Sequence, residues 1–461
     1  MLIILGQFFL CLSILIILHE AGHFFAARMF NTKVEKFYLF FNPWFSLFKK
    51  KIGDTTYGIG WLPLGGYVKI AGMIDESMDQ EQMKKPPKEW EFRSKPRWQR
   101  LIIMLGGVIV NFILALFIYV FMFGYWGERL IEQMPLSVYS ENESYLDSFP
   151  LQTGDEIISI DGRNVVGLCA NDVFLDLILW GEKSVFVSRN GAEERVTLTK
   201  DHIGHIINKR IIIRDEPFKI KLVSDEIEVV NDDGEVVKIE GPAKKAKLKA
   251  GDVLFSINGE RVSGTAEFIS FLQKNPGKKI SVGYEREGKK KKTTLIIPVK
   301  QKDGAVRIGV ALDLVSGRVE KTKEHSFFSA IPAGISKTKT EIKNYIGQFG
   351  LIFQMDDGAK QLGGFMMIGS LFGSENDEGV VFWDWENFWK MTALISIILA
   401  VMNLLPIPAL DGGHVVILLI EMVRGRDIDP KILGYVQMVG LIMLLGLFVL
   451  ANVNDVIRFF F

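Results

Sequence analysis

Hydrophobic residues are concentrated in four long runs, and polar residues fill the stretches between them. The four runs are Leu2–Phe30, Leu101–Trp126, Met391–Leu410 and Ile432–Asn454. A helix needs about 20 mainly apolar residues to cross a bilayer, so each run predicts a transmembrane helix. The third run contains Pro406 and Pro408, and an apolar segment resumes after Asp411. Because proline lacks a backbone donor, this pattern predicts a helix that is broken within the membrane.

The distribution of lysine and arginine predicts the orientation of these spans. Residues 31–97 hold twelve lysines and arginines, and the short loop from Arg424 to Lys431 is also basic. Basic loops stay in the cytoplasm, so both termini and residues 127–384 are expected on the outer side. No basic residue precedes the first run and no small-residue cleavage site follows it, which favours a retained span over a cleaved signal peptide.

The first basic loop contains a nearly uncharged, glycine-rich stretch, TTYGIGWLPLGGYVKIAG, at residues 55–72. Its glycines divide it into short runs of β-forming residues, which predicts a β-hairpin. The low charge favours a hairpin that re-enters the membrane, where non-helical backbone is tolerated only against protein or water. A small soluble hairpin is the alternative.

One segment of the middle region occurs twice. Residues 151–162 (LQTGDEIISIDG) match residues 248–259 (LKAGDVLFSING), and a repeat of this length indicates a duplicated domain. Each copy predicts a strand that ends in a tight D-G or N-G turn. Both copies resemble the core of PDZ domains, which bind an extended peptide as an added strand. A β-rich spacer without a ligand is the alternative.

These features predict a polytopic α-helical membrane protein with four transmembrane helices, a re-entrant β-hairpin and two inserted β-rich, PDZ-like domains. The predicted units are residues 1–126 with two spans, the domains 127–216 and 217–316, a linker 317–384, and residues 385–461 with two spans. Within the linker, residues 328–353 place Ile331, Ile335, Ile342, Tyr345, Phe349 and Ile352 near one helical face. This helix is expected on the outer membrane surface or against the second PDZ-like domain.

Composition narrows the class of protein. The net charge is zero, which offers no case for nucleic-acid binding, and the mean hydropathy of +0.21 is high for a soluble enzyme. The two cysteines, Cys11 and Cys169, fall in an apolar run and in a polar region, so we do not expect a disulfide between them.

The first apolar run ends in LHEAGHFF, which places His19, Glu20 and His23 inside a membrane helix. Ionisable groups at that depth are costly and usually functional. In H-E-x-x-H the two histidines share one helix face and can bind one zinc ion, and Glu20 can serve as general base. Catalytic zinc usually takes three protein ligands, and Asp411, at the helix break, is the better candidate for the third. His414 is the alternative; it can instead support a metal ligand through a hydrogen bond.

The motif H-E-x-x-H in the first span, N-x-x-P-x-P-x-L-D-G at residues 403–412 and the tandem PDZ-like domains resemble the site-2 protease family, most closely the bacterial regulator-of-sigma-E type. The resemblance covers nearly the whole chain. It implies one Zn²⁺ bound by His19, His23 and Asp411, with Glu20 as the catalytic base. It further implies that Asn403 and the glycine-rich stretch, with Gly65, Gly66 and Tyr67, contact substrate. The role of Asn111 in the second span stays open.

The resemblance also implies a function: hydrolysis of peptide bonds within transmembrane segments of pre-trimmed membrane proteins, such as anti-sigma factors or signal-peptide remnants. It implies a location in the bacterial inner membrane, with the active site toward the cytoplasm and the PDZ-like domains in the periplasm, where they can bind peptide C-termini. A transporter that uses the buried charges for ion coupling is a rival, but its paired membrane repeats are not seen in the sequence. A catalytically inactive PDZ scaffold is a second rival, disfavoured by the intact motifs.

Overall fold

The computed structural model describes most of the chain. The described residues are 2–63, 65–73, 86–133, 136–139, 149–152, 155–165, 170–179, 181–189, 191–208, 212–215, 218–230, 236–262, 265–286, 289–298, 306–313, 319–351, 363–375 and 381–460. Cys169 and Ile352, which the sequence analysis used, lie outside these ranges.

The described residues form eleven α-helices, α1 to α11. Their bounds are Leu2–Met29, Arg97–Tyr125, Ala170–Ile178, Lys200–Ile207, Pro242–Lys245, Thr265–Lys274, Phe327–Leu351, Phe365–Ser370, Trp385–Leu404, Asp411–Arg424 and Pro430–Phe460. Among the described residues, four helices are long and apolar enough to cross a membrane: α1, α2, α9 and α11. These four coincide with the four predicted spans.

The third span is interrupted where its prolines predict. Helix α9 ends at Leu404 and α10 begins at Asp411. Between them Ala409 has a φ of 75°, a left-handed conformation that is uncommon for a residue with a side chain. A Cβ on Gly413 would lie 2.5 Å from the carbonyl oxygen of Ile407, so only glycine lets the first turn of α10 approach the connecting segment this closely.

The glycine-rich stretch folds differently from the predicted hairpin. A four-stranded sheet follows α1, with β1 at Val34–Leu39, β2 at Phe48–Ile52, β3 at Thr55–Ile59 and β4 at Tyr67–Ile70. The strand order is β2-β3-β1-β4. The hairpin prediction is therefore wrong: β1 pairs in parallel with β3 and antiparallel with β4, and so separates the two strands of the stretch. Strand β4 forms one edge of the sheet.

The middle region contains two β-rich units. Strands β5–β11 are Glu128–Gln133, Leu136–Tyr139, Glu156–Ile160, Arg163–Asn164, Lys183–Arg189, Ala192–Leu198 and Ile212–Asp215. Strands β12–β20 are Phe218–Val223, Glu226–Val230, Val236–Glu240, Val253–Ile257, Glu260–Arg261, Lys279–Arg286, Lys289–Ile296, Val310–Asp313 and Val319–Lys323. The first unit has a sheet of order β10-β9-β7-β8, and the second has the order β18-β17-β15-β12-β19. Each unit buries its own hydrophobic core. Strands β5 and β20 pair and tie the start of this region to its end.

The duplication extends to a buried ion pair. Asp155 of the first repeat accepts two hydrogen bonds of 2.8 Å from Arg189, and Asp252 of the second accepts two of 2.6 and 2.7 Å from Arg286. Both carboxylates are fully buried. Hydrogen bonding to the Asp155 carboxylate raises the pKa of Arg189. Removing one partner of a buried pair typically costs about 3–5 kcal/mol, so the repeated G-D aspartates have a structural role.

Helix α7 contacts the membrane helices and the first β-rich unit. A Cβ on its Gly334 would lie 2.5 Å from a side-chain methyl of Val120 in α2. Its other end reaches the first unit, where Lys343 lies 3.6 Å from Asp176 and Leu351 packs on the core. The expected packing against the second unit is therefore not what the described residues show. Two short strands, β21 at Ser374–Glu375 and β22 at Val381–Phe382, follow α8.

A charged cluster joins the first turn of α2 to the loop after α10. Buried Arg100 lies 3.1 Å from Asp427 and 3.5 Å from the buried carboxylate of Glu421. Burial raises the pKa of Asp427, but the guanidinium groups of Arg100 and Arg97 outweigh this and lower it overall. The cluster therefore fixes the position of the helix that begins with Asp411.

Candidate metal centre

Three side chains that the sequence analysis selected converge between α1 and α10. His19 and His23 lie one turn apart on α1, and Asp411 is the first residue of α10. The two Nε2 atoms are 3.3 Å apart, and the Asp411 Oδ2 atom lies 3.3 Å from His19 and 3.2 Å from His23. Elsewhere in the described part of the chain, no other group of three His, Cys, Asp or Glu donors is this compact.

This triangle fits a zinc ion. Donor atoms about 2.0–2.2 Å from one tetrahedral ion are about 3.3–3.6 Å apart. The three donor–donor distances of 3.3, 3.3 and 3.2 Å are close to this range. Oδ2 of Asp411 is buried and has no hydrogen-bond partner among the described residues. Atoms that all offer lone pairs repel one another unless a cation lies between them, so the arrangement favours a bound cation.

Helix α2 holds both imidazoles in place. Gly22 of α1 and Gly106 of α2 are in backbone contact, because a Cβ on either would overlap the other residue. A Cβ on Gly107 would lie 2.5 Å from Cε1 of His19 and from Nε2 of His23, so the missing side chain makes room for the two rings. The Nδ1–H group of His23 donates to the carbonyl oxygen of Ile103 at 2.9 Å. A hydrogen bond of this kind orients a metal-binding histidine.

Glu20 lines a cavity of about 360 Å³ beside the donors. The cavity is bounded by the edge strand β4 on one side, by Asp411 on another, and by Gln437 and Leu441 of α11. A Cβ on Gly66, the residue before β4, would lie 3.4 Å from Cγ of Glu20, so the Glu20 side chain lies against the start of this strand. The carboxylate is thus fixed between the metal donors and the edge of the sheet.

Two of the four predicted substrate-binding residues line this cavity. Gly66 and Tyr67 line it, and Gly65 precedes them with a φ of 148°. A Cβ on Gly66 would lie 2.6 Å from a methyl group of Ile16, so this glycine lets the sheet approach α1. The Tyr67 ring stacks on Tyr38, and its hydroxyl donates to Asn42 at 2.9 Å. Asn403, at the end of α9, lies 3.4 Å from Nε2 of His19 through its amide nitrogen.

The other histidines are not part of the donor triangle, although His414 lines the same cavity. His414 accepts a hydrogen bond of 3.0 Å from Gln437 on α11, so its ring faces that helix. His202 caps α4, because its backbone N–H donates to Thr199 and its Nδ1 accepts from the Thr199 backbone. His325 pairs with Glu128 at 3.0 Å. The sequence analysis did not assign a role to Gly22, Gly106 or Gly107. The adjacent glycines Gly106 and Gly107 in a membrane helix could have indicated close helix packing.

Comparison with known proteins gives consistent results. The model of peptidase family M50 matches residues 7–447. The regulator of sigma-E protease RseP of Salmonella typhimurium is 30% identical over 98% of both chains. RseP of Escherichia coli and the regulator of sigma E protease of Haemophilus influenzae are each 29% identical, again over 98% of both chains. A PDZ domain of an SdrC-like protein from Listeria monocytogenes covers 21% of the chain, with 23% identity and a TM-score of 0.17, too low to support a statement about the fold.

Proposed function

Because this chain belongs to peptidase family M50 and is a zinc metalloprotease, we propose that it hydrolyses peptide bonds within transmembrane segments of other proteins. One observation carries the proposal. The donor triangle of His19, His23 and Asp411 joins α1, one of the predicted spans, to the start of α10, just after the break that follows α9. The triangle opens into a cavity beside the edge strand β4. A hydrolytic centre placed there faces the apolar interior rather than a water-exposed surface.

In the proposed mechanism, three residues of this chain bind the metal ion and a fourth transfers protons. His19, His23 and Asp411 hold the zinc ion, which when bound supplies a Lewis acid that polarises the scissile carbonyl and acidifies water. Glu20 accepts a proton from the attacking water and passes it to the leaving amine. Glu20 lines the cavity beside Gly66 and β4, which places its side chain next to the proposed path of the substrate. Apolar side chains that line the cavity, among them Met73, Met104 and Leu441, limit the access of bulk water.

We expect Asp411→Asn to lower the zinc content of the purified protein well below one ion per chain. Replacing the carboxylate by an amide removes the anionic donor while preserving the volume of the side chain. Metal analysis of the full-length protein in detergent measures the result, and cleavage of a model transmembrane peptide should fall with it. His414→Gln, which changes a ring that faces α11, is the matched control and should keep zinc. Full zinc in Asp411→Asn together with zinc loss in His414→Gln would assign the third ligand to His414 instead.

The substrate must be unwound before cleavage, because a helix hides its carbonyl groups in its own hydrogen bonds. Strand β4 is the edge strand beside the cavity, and an extended segment can pair with such an edge as an added strand. Gly65, Gly66 and Tyr67 lead into this edge, and we propose that Asn403 binds the opened backbone. The polar amide of Asn403 sits within reach of the donors, which suits a contact next to the scissile bond.

Strand addition can be tested by photo-crosslinking in a Glu20→Gln background that holds the substrate uncut. A photoreactive amino acid at Lys69, on the edge strand β4, should capture a transmembrane substrate. The same group at Lys50, on the opposite edge strand β2, should not. Equal capture at both positions would contradict binding along β4, whereas capture at Lys50 alone would assign the substrate to the other edge.

The relatives that are named as regulators of sigma E suggest the setting. We propose that this chain acts in regulated intramembrane proteolysis on pre-trimmed proteins such as anti-sigma factors or signal-peptide remnants, in the bacterial inner membrane. The two β-rich units would lie in the periplasm as PDZ-like domains that select substrates or bind peptide C-termini, and the active site would lie toward the cytoplasm. Labelling of single cysteines in the units from either side of the membrane tests this sidedness; labelling from the cytoplasm would overturn it.

A further inference from the structure

The side chain of Asn111 has an unsatisfied buried atom next to the proposed metal centre. Asn111 lies on α2 and is completely buried. Its amide nitrogen is placed 3.2 Å from Nδ1 of His19, while its Oδ1 atom has no hydrogen-bond partner among the described residues. Buried amide oxygens are nearly always paired, so this arrangement is unusual and points to a specific role for the amide.

The chemistry of His19 decides which amide atom should face it. Nε2 of His19 is the atom that points at His23 and Asp411, so a metal there binds through Nε2. A neutral imidazole that binds through Nε2 carries its proton on Nδ1, which makes Nδ1 a donor. The atom opposite must then be an acceptor. The oxygen and nitrogen of an amide have nearly the same shape, and a half-turn of the side-chain amide brings Oδ1 to this position.

His23 shows the same arrangement in an independent way. Its Nδ1 lies 2.9 Å from the carbonyl oxygen of Ile103, a group that can only accept, so Nδ1 of His23 must be the donor. Both acceptors belong to α2, one from the backbone and one from a side chain. Helix α2 thus presents one acceptor to the outer nitrogen of each histidine.

We propose that Asn111 is a positioning residue: its Oδ1 accepts the Nδ1–H hydrogen bond of His19 and fixes the tautomer and ring orientation in which Nε2 binds zinc. The inference rests on the proposed zinc ligands. A purely structural role for Asn111 would run through its backbone, because its carbonyl oxygen accepts a hydrogen bond of 2.8 Å from Ser396 on α9. That bond survives any side-chain substitution at position 111, so the two roles are separable.

The test measures zinc affinity of the full-length protein by competition with a chelator of known affinity. Asn111→Asp keeps an acceptor and should bind zinc within a few-fold of wild type. Asn111→Leu has a similar volume without an acceptor and should bind about 10–100-fold more weakly, the range typical for losing such a partner. Asn111→Ala removes the acceptor without adding apolar bulk and should match Asn111→Leu. Ser396→Ala breaks only the backbone link and should leave affinity unchanged.

Two results would overturn the inference. Asn111→Asp binding as weakly as Asn111→Leu would mean that the amide donates rather than accepts. Wild-type affinity in both Asn111→Leu and Asn111→Ala would mean that position 111 does not act on the metal. Failure of the proposed zinc ligands is distinguishable, because wild type would then bind no stoichiometric zinc, or His19→Ala would bind it as well as wild type. If Asn111→Leu does not fold, the comparison of Asn111→Asp with Asn111→Ala decides.

Discussion

Glu20→Gln should keep its zinc and lose its protease activity. Glutamine has nearly the same shape as glutamate, and Glu20 is not one of the three converging donors, so the metal site should persist. The amide cannot accept the proton of the attacking water, and loss of a general base typically slows a reaction by about 10²–10⁴-fold. The rate of cleavage of a model transmembrane peptide in proteoliposomes measures the loss, and metal analysis of the same sample measures zinc.

Glu89→Gln is the matched control for this variant. Glu89 is exposed in the same loop region between α1 and α2, away from the cavity, and its replacement should change neither quantity. Cleavage by Glu20→Gln at the wild-type rate would remove Glu20 from the mechanism. Loss of zinc from this variant would instead place the carboxylate among the metal ligands.

Gly107→Ala should weaken zinc binding strongly although it changes none of the proposed ligands. The added Cβ would lie 2.5 Å from atoms of both His19 and His23, closer than real Cβ atoms approach other groups. The two rings must turn away, and their Nε2 atoms then no longer form the triangle with Asp411. We expect a loss of zinc affinity of at least about 10–100-fold, as for other disruptions of ligand orientation, with activity lost in proportion. Chelator competition measures the affinity.

Gly124→Ala on the same helix provides the control. Its Cβ would meet Ala330 at 3.8 Å, an ordinary van der Waals distance, so zinc binding should be retained. Alanine favours helix over glycine by about 1 kcal/mol, which means that neither variant weakens α2 through helix propensity. Wild-type zinc affinity in Gly107→Ala would show that the rings can move aside without losing the site.

The proposed metal donors could be selected from the sequence, because they either follow a local spacing or place an ionisable group where burial is costly. His19 and His23 are spaced by one helical turn, so their common face follows from the period of the helix. Asp411 stands out because burying a carboxylate at a proline-broken apolar run is costly, and such groups in membrane segments are usually functional. The four spans could also be predicted directly, since length and hydrophobicity alone decide whether a helix can cross a bilayer.

The features that escaped prediction depend on partners far away in the sequence. Strand β1 lies between β3 and β4 in the sheet. This pairing depends on residues before the glycine-rich stretch, so the stretch alone does not predict it. The repeat contains the buried aspartates Asp155 and Asp252, but it does not indicate their partners, Arg189 and Arg286, which lie 34 residues later. The apolar face of helix α7 predicts that the helix is buried, but not which surface covers it. In the structure, α7 contacts α2 and the first β-rich unit.

With the proposed ligands, the break that starts α10 would also determine when the protein becomes an enzyme. His19 and His23 lie on one side of it and Asp411 on the other, and 388 residues of synthesis (411 − 23) separate the second donor from the third. A ribosome-bound chain that has not reached residue 411 therefore presents two donors, one short of the three that catalytic zinc usually takes. With the proposed ligands, the centre would assemble only after both β-rich units have been made, and we expect a chain truncated before the break to be inert.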